Sequence, residues 1–300
     1  MKKKPYADIA IIGGSGLYEL QGLERIRRVR RTTPFGQPSD EIILGNLGES
    51  VVAFLARHGR GHRIPPTAIN YRANIYALKA LGVKRIFSVS AVGSMKESIK
   101  PGDLALPDQF IDRTTMQRKR TFFDRGVVAH IPFSDPICSI VSNVLWQASQ
   151  EVGATVHRPG TYVCIEGPQF STRAESHLYR QWNADVIGMT NIPEANLARE
   201  AEICYATLAL VTDFDCWHQT EEAVSVEAII TIMKQNVEVA KRVLRYALDL
   251  AQGLPTCSCH SALQNAVITA PEAITPTLRN RYRVLLQHYL PPKKTKKGSS

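Results

Sequence analysis

The sequence predicts an α/β fold with many parallel strands, on two observations. Short apolar runs alternate along the chain with segments of helical periodicity, the pattern of repeated strand and crossover units. The composition suits a packed globule: 300 residues, 44% hydrophobic and 21% charged, enough for one large domain or two small ones.

Strands are predicted over residues 8–12, 51–56, 85–90, 103–106, 161–165, 185–188 and 206–211, each a short apolar run bounded by polar or turn-forming residues. Helices are predicted over 70–81, where Gly82 supplies the C-cap, and over 135–152, stopped by Gly153. Two more cover 172–182 and 193–203. The longest begins near Ser225 and places Val226, Ile229, Ile230, Met233, Val237, Ala240, Val243, Leu244, Ala247 and Leu248 on a 3.6-residue period, ending near Gly253. Beyond it the chain is punctuated by proline, with a short helix over 276–290. The organisation is one domain over 1–253 and a C-terminal extension with a basic tail over 254–300, without internal repeats.

A formal charge of +10 suggests a nucleic-acid partner until it is located. Seven of those charges are lysines at 2–4 and 293–297, which read as solvated tails, and +3 remains for the rest. The basic clusters at 25–31 and 113–125 lack interleaved aromatics for stacking bases. No run reaches the length of about eighteen apolar residues that a membrane helix requires, and the Met-Lys-Lys-Lys-Pro start is followed by no apolar stretch. The expectation is a cytoplasmic protein with neither nucleic acid nor membrane as partner.

The six cysteines, at 138, 164, 204, 216, 257 and 259, include no CxxC pair, so zinc ribbons and thioredoxin-like sites are disfavoured and no metal centre is assigned. Cys257-Ser258-Cys259-His260 admits a local disulfide, a metal-ligand pair or two free thiols.

Four predicted strand ends carry hydrogen-bond donors. Gly13-Gly14-Ser15-Gly16 can converge backbone N–H groups and the Ser15 hydroxyl on an anion, although a structural tight turn reads the same way. As a dinucleotide fingerprint it fails, because Glu19 stands where the third glycine belongs; no lysine follows to make a phosphate-binding P-loop. Arg57-His58-Gly59 places a guanidinium able to grip phosphate bidentately beside an imidazole. Residues 88–94 end a strand in small and hydroxyl-bearing residues, including Ser90 and Ala91. Gly188-Met189-Thr190 adds a hydroxyl and the free N–H groups of a helix start. One phosphate can accept from all of them.

Asp213 and Asp215 follow the last predicted strand. If that segment stays extended, residues i and i+2 point the same way, and two carboxylates can face the amino group and ring nitrogen along one edge of adenine. A helix cap or a solvated acidic loop accounts for the pair equally well. Phosphate donors together with a base-reading acid suggest phosphorolysis.

On these residues the chain resembles the methylthioadenosine phosphorylase family of the trimeric purine nucleoside phosphorylase group, over about residues 7–253. The resemblance rests on Ile-Ile-Gly-Gly-Ser-Gly-Leu at 11–17, Thr-Pro-Phe-Gly-Gln-Pro-Ser-Asp at 33–40, Arg-His-Gly-Arg at 57–60 and Asn-Tyr-Arg-Ala-Asn at 70–74. It continues through Pro-Gly-Asp at 101–103, the run at 108–116, Ile-Glu-Gly-Pro-Gln-Phe-Ser at 165–171 and the acidic hexapeptide at 212–217. It implies a phosphorylase/hydrolase-like fold, a mixed central sheet flanked by helices.

The resemblance further implies a phosphate site of Ser15, Arg57, His58, Ser90, Ala91 through its backbone, and Thr190. Ser15 and Ser90 stand where the family often has Thr, which keeps the hydroxyl. Met189 would lie on the ribose, with Phe170 and Ser171 also lining the nucleoside site. Asp213 would face purine N7 and N6, and Asp215 would face N6. Relatives that cleave 6-oxopurines carry Glu at the position of Ser171 and Asn at that of Asp213, so Asp213 argues for adenine. Val226 and Ile229 would suit a methylthio group, although core packing explains them as well. His130 would enter a neighbouring subunit's pocket in a homotrimer or homohexamer. The extension past 253 resembles one found in some prokaryotic members, where disulfides support thermal stability. The activity implied is phosphorolysis of 5′-methylthioadenosine, with broader action on adenosine, inosine or guanosine as the alternative. Inorganic phosphate is the co-substrate and no metal or organic cofactor is required. A nicotinamide oxidoreductase and an RNA-binding module remain only as suggestions of the first glycine turn and the lysine tails.

Overall fold

The computed structural model describes residues 6–14, 17, 22–48, 50–115, 117–218 and 226–290, the side chains of 226–229 excepted. The elements in chain order are β1 (Ile9–Gly13), β2 (Glu24–Val29), β3 (Ile42–Leu47), β4 (Ser50–Ala56), α1 (Tyr71–Ala80), β5 (Arg85–Ser94), β6 (Leu104–Ala105) and β7 (Gln109–Arg113). They continue with α2 (Ser139–Glu151), β8 (Val156–His157), β9 (Thr161–Ile165), α3 (Arg173–Gln181), β10 (Val186–Gly188), α4 (Asn191–Glu200) and β11 (Cys204–Asp213). Helices α5 (Val226–Leu250), α6 (Pro276–Arg281) and α7 (Arg283–Leu286) complete the chain. No helix among the described residues is long and apolar enough to cross a membrane.

All eleven strands join one sheet, ordered β2-β3-β4-β1-β5-β10-β9-β7, with β11, β6 and β8 branching from β5. The sheet is mixed, as the family resemblance implies, and many of its pairs are parallel, as the alternation of strands and helices suggests. The pairs β2–β3, β3–β4, β5–β10 and β6–β11 run antiparallel. The seven predicted strands all form. Four further strands, β2, β3, β7 and β8, also form, and β2 and β7 escape the apolar-run criterion. In β2 five of six residues are exposed, and β7 reads Gln-Phe-Ile-Asp-Arg. Such strands are held by ladder hydrogen bonds more than by burial.

The predicted helices form with local reasons visible. Asn70 caps α1 by accepting from the Ala73 N–H, and Thr172 and Glu175 close a reciprocal capping box on α3. Helices α2 and α5 pack together against β11, and α1 packs on α4. At α4 the backbone leaves helical angles at Ile192 and Pro193, so a regular helix begins only after them. The predicted row of free N–H groups at that helix start is thereby broken.

The C-terminal segment is part of the same core. Cys259, Leu263, Ala266, Ile274, Tyr282, Leu285 and Leu286 are buried in the main hydrophobic cluster. The Arg85 guanidinium donates to the carbonyls of Leu254 and Pro255, and Glu202 accepts from the Leu263 N–H and the Tyr289 hydroxyl. The predicted helix over 276–290 is split into α6 and α7 around Tyr282, whose ring is fully buried beside Phe35 and Phe123.

One buried acid gives the fold a pH dependence. Glu200, at the end of α4, accepts from the Thr121 hydroxyl at 2.6 Å and the Phe122 N–H at 2.7 Å. Burial pushes its carboxyl up to about 7 despite those bonds. The unfolded chain releases this proton near the ordinary 4.5, so the contribution to stability is full below that pH and is lost as pH rises through 7. Glu200→Gln is expected to melt close to the parent at pH 4.5 and above it at pH 8, by about 2–3 kcal/mol. Thermal unfolding at the two pH values checks this; a variant less stable than the parent at pH 8 contradicts it.

Candidate active site

The sheet opens where β5 changes partners. On one edge β1 pairs with Arg85–Ser88, while β10 pairs only with Gly93 and Ser94. Residues 89–92 face a gap between those two neighbours, and Ala91 is the one exposed residue in this strand. The Val89 carbonyl accepts from Arg57, so the Ala91 N–H, two residues on, points to the same side. A backbone donor and a strand end therefore open on one cleft.

Arg57 leaves the end of β4 with its N–H on the Gly13 carbonyl, and the residue is 2% exposed. Nε and Nη2 each lie 2.8 Å from a different oxygen of Glu194; Nη1 donates to the Val89 carbonyl and Nη2 to the Ser88 hydroxyl. The predicted forked grip exists, but its partner is Glu194 of α4 and not a phosphate. Counting five guanidinium donors leaves one Nη1 hydrogen for a ligand. Burial opposes the charge, yet Glu194 outweighs it and keeps the guanidinium protonated.

His58 donates from Nδ1 to the Ile64 carbonyl at 2.8 Å, a tautomer assigned from that bond, and its ring stacks on His62. Burial and then the Arg57 charge push its pKa down to about 4. At neutral pH the ring is uncharged and Nε2 offers a lone pair.

Across the gap, the Ser90 hydroxyl lies 3.3 Å from both the Thr190 hydroxyl and the Tyr162 hydroxyl. Thr190 is buried at the junction of β10 and α4. The structure thus gathers Arg57, Ser90, Ala91 and Thr190 around one opening, with His58 next to Arg57. Ser15 and the side chains of Val226 and Ile229 lie outside the described residues.

The acidic pair is arranged differently from the i, i+2 expectation. Strand β11 stops at Asp213, and Asp215, with φ of +49°, opens a 3₁₀ turn. The two carboxylates do not line one edge of an extended chain. A register shift between Val211 and Asp213 inserts Thr212 as a bulge and sets Asp213 opposite Gly93 of β5. Its carboxylate accepts from the Thr212 hydroxyl at 2.7 Å and the Asp215 N–H at 2.8 Å. Gly93 makes room for this: a Cβ there would stand 2.9 Å from Asp213 Oδ1. Asp215 is buried and accepts from the hydroxyls of Ser171 at 3.0 Å and Ser176 at 2.6 Å. It braces the 166–171 loop against α3, while Asp213 is half-buried at the cleft.

That loop carries Phe170, 69% exposed. Met189 is half-buried, with its sulfur against Gly167 and its carbonyl held by Arg118 Nη1 at 2.7 Å. Arg118, 4% exposed, also binds the Ile192 carbonyl, the Glu166 carboxylate and the Glu166 carbonyl. It joins the 166–171 loop to Met189 at the end of β10. Sequence reasoning passed over Arg118 inside the 113–125 basic cluster and Glu194 inside a helix start; their local spacing signals nothing. His130 is exposed, its N–H on the Ala266 carbonyl.

Comparison with known proteins shows the family. Residues 8–249 match the model of the phosphorylase superfamily. The chain is 57% identical over 282 residues to the S-methyl-5′-thioadenosine phosphorylase of Geobacter sulfurreducens, covering 94% of this chain and 99% of that one. It superposes with a TM-score of 0.91 on a methylthioadenosine phosphorylase from an Antarctic soil metagenomic library, at 54% identity over 94% of this chain and all of the other. A Schistosoma mansoni methylthioadenosine phosphorylase in complex with adenine gives a TM-score of 0.79 at 33% identity, covering 94% and 98% of the two chains.

The Arg57–Glu194 pair generates a test. Glu194→Gln leaves a buried guanidinium without its counter-charge and is expected to cost about 3–5 kcal/mol of stability. Where the variant still folds, its KM for phosphate should rise about tenfold or more, with a much smaller change in KM for the nucleoside. Thermal melts and phosphate titrations measure both; an unchanged phosphate KM would remove Glu194 from this role.

Proposed function

The chain belongs to the phosphorylase superfamily, and on that premise we propose that it catalyses phosphorolysis of 5′-methylthioadenosine to adenine and 5-methylthioribose 1-phosphate. The protein is a pentosyltransferase of nucleoside salvage. The observation that supports this reading is the gap beside residues 89–92 of β5, which Arg57 from the end of β4 and Thr190 from the end of β10 approach, together with the bulge that sets Asp213 opposite Gly93 of the same strand. The relatives that match nearly the whole chain bear the methylthioadenosine phosphorylase name. The broader purine nucleoside phosphorylase reading is not favoured.

Breaking an N-glycosidic bond builds positive charge on the ribosyl ring and negative charge on the departing purine. Phosphate is the nucleophile, held by the Ser90 and Thr190 hydroxyls, the Ala91 N–H, the remaining Arg57 donor and Ser15. Its negative charge supports the ribosyl cation. Neutral His58 accepts from a protonated phosphate oxygen through Nε2, orienting the nucleophile without adding charge. Met189 covers the ribose and Phe170 closes on the base.

Asp213 serves the leaving group. Its carboxyl hydrogen-bonds or protonates N7 as the purine departs and accepts from the 6-amino group. Asp215 positions the loop that carries Phe170 and Ser171, and it bears on the base through that loop. A 6-oxo group facing Asp213 would set lone pair against lone pair, which discriminates by roughly 10⁴-fold when buried. The family resemblance assigns Val226 and Ile229 to the methylthio end. The reaction requires no metal or organic cofactor. The protein works in the cytoplasm as a homotrimer or homohexamer, each pocket completed by a neighbour's His130.

Steady-state assays of methylthioadenosine, adenosine and inosine, with and without phosphate, test the reading. Methylthioadenosine is expected to be cleaved only with phosphate and to lead adenosine and inosine in kcat/KM. Cleavage without phosphate would indicate a nucleosidase. Asp213→Asn should lower kcat/KM for methylthioadenosine about 10²–10⁴-fold and raise activity on inosine relative to the parent. Unchanged methylthioadenosine kinetics would remove the role assigned to Asp213.

A further inference from the structure

The fold brings together four thiols that the proposed reaction does not use. Cys138 precedes α2, Cys204 begins β11, and Cys257 and Cys259 lie in the C-terminal segment, yet their four sulfurs all fall within 4.8 Å of one another. The Cys257 sulfur lies 3.8 Å from that of Cys138 and 3.0 Å from that of Cys204. Three of the four residues are buried. We propose that Cys138, Cys204, Cys257 and Cys259 hold one structural zinc ion as a tetrathiolate centre.

Geometry favours a single ion. Zinc–sulfur bonds of about 2.3 Å at tetrahedral angles put ligand sulfurs about 3.8 Å apart, in the range these thiols occupy. A disulfide needs about 2.05 Å and joins sulfurs two at a time. Here one sulfur stands near three others, which pairing does not call for. Separations under 4.8 Å leave no room among the four for an iron–sulfur cluster. An all-sulfur tetrahedral donor set selects a soft or borderline divalent metal, zinc above all.

The surroundings suit a charged tetrathiolate. The Cys257 N–H approaches His260 Nδ1 at 3.4 Å, which puts the imidazole proton on Nε2, and Nε2 lies 3.4 Å from the Cys204 sulfur. That N–H lies between the Cys204 sulfur and the Lys84 carbonyl, 3.3 Å away, and can be shared with a bound thiolate, the outer hydrogen bond that orients ligands in zinc sites. Arg199 supplies positive charge near Cys259, and on binding the thiol protons leave to solvent. A cleft of about 640 Å³, lined by Cys138, Cys257, Cys259 and Arg199, gives an ion its path. The ion would pin the C-terminal segment to α2 and β11. Its ligand Cys204 is separated from Asp213 by the length of β11, about 30 Å.

The test uses the full-length chain purified without a metal-affinity tag from zinc-supplemented cells. Elemental analysis is expected to give about one zinc per chain, and Cys257→Ser/Cys259→Ser about a tenth of that or less. Phosphorolysis by the parent should survive in the double variant at moderate temperature, while its melting point falls by several degrees. Should the variant not fold, cobalt(II) added to metal-stripped parent decides: visible ligand-field bands of a tetrahedral tetrathiolate support the site. Intact mass under denaturing, non-reducing conditions supplies the opposing result. A metal-free chain lighter by two hydrogens per bridge would overturn the proposal in favour of disulfides. Four free thiols that take up no zinc would overturn it too, and iron in place of zinc would overturn the choice of ion.

Discussion

Glu194 is fully buried and accepts four hydrogen bonds, two from Arg57 and one each from Ser88 and Tyr205. Those donors come from the end of β4, the middle of β5 and the start of β11, so one carboxylate on α4 fixes the relative positions of three strands. A buried ion pair of this kind gains little stability over an apolar replacement, because both charges must be desolvated. Its value lies in placement. Arg57 is held charged and immobile before any ligand arrives, and a preorganised charge needs no rearrangement as the reaction proceeds. The same bonds limit what Arg57 can offer a phosphate, and hydroxyls and a backbone N–H supply the remaining donors.

The sheet topology makes those donors available. A strand in the middle of a parallel sheet has both edges consumed, and a cleft can form only where the neighbours change. Strand β5 meets that condition between Ser88 and Gly93, where β1 ends and antiparallel β10 begins. On its other edge β11 follows it to Val92, bulges at Thr212 and pairs again at Gly93. The bulge and the small residue at Gly93 are two halves of one device, since the inserted Thr212 turns Asp213 toward β5 and the missing Cβ lets its carboxylate settle there.

The parts of this site legible in the sequence are those that close apolar runs: Arg57, Ser90 and Thr190 each end or follow a predicted strand, and the structure gathers them. What was not legible depends on partners far along the chain. Glu194 is an ordinary acid near a helix start until Arg57, 137 positions away, folds onto it. Arg118 sits in a run of basic residues, and nothing local marks it as the one buried among carbonyls. The i, i+2 argument for Asp213 and Asp215 failed because it assumed a continuing strand, whereas the positive φ at Asp215 turns the chain. Strands β2 and β7 were missed for the opposite reason, their exposure leaving no apolar pattern to read.

The C-terminal segment shows why a boundary drawn from composition differs from one drawn from packing. Proline punctuation and weak periodicity after Gly253 read as an appendage, yet Tyr282 is buried against Phe35 and Phe123, and Arg281 reaches the Pro34 carbonyl and Asp124. A segment without periodicity can still be core when it is laid into a groove that other elements have formed, because burial then depends on the groove and not on a repeat of its own. Strand β11 joins this region to the cleft. Nine of its ten residues are buried and the half-exposed one is Asp213. A rigid central strand can therefore be braced at Cys204 by the C-terminal segment and present its acid at the other end, with stability and base recognition drawing on separate residues.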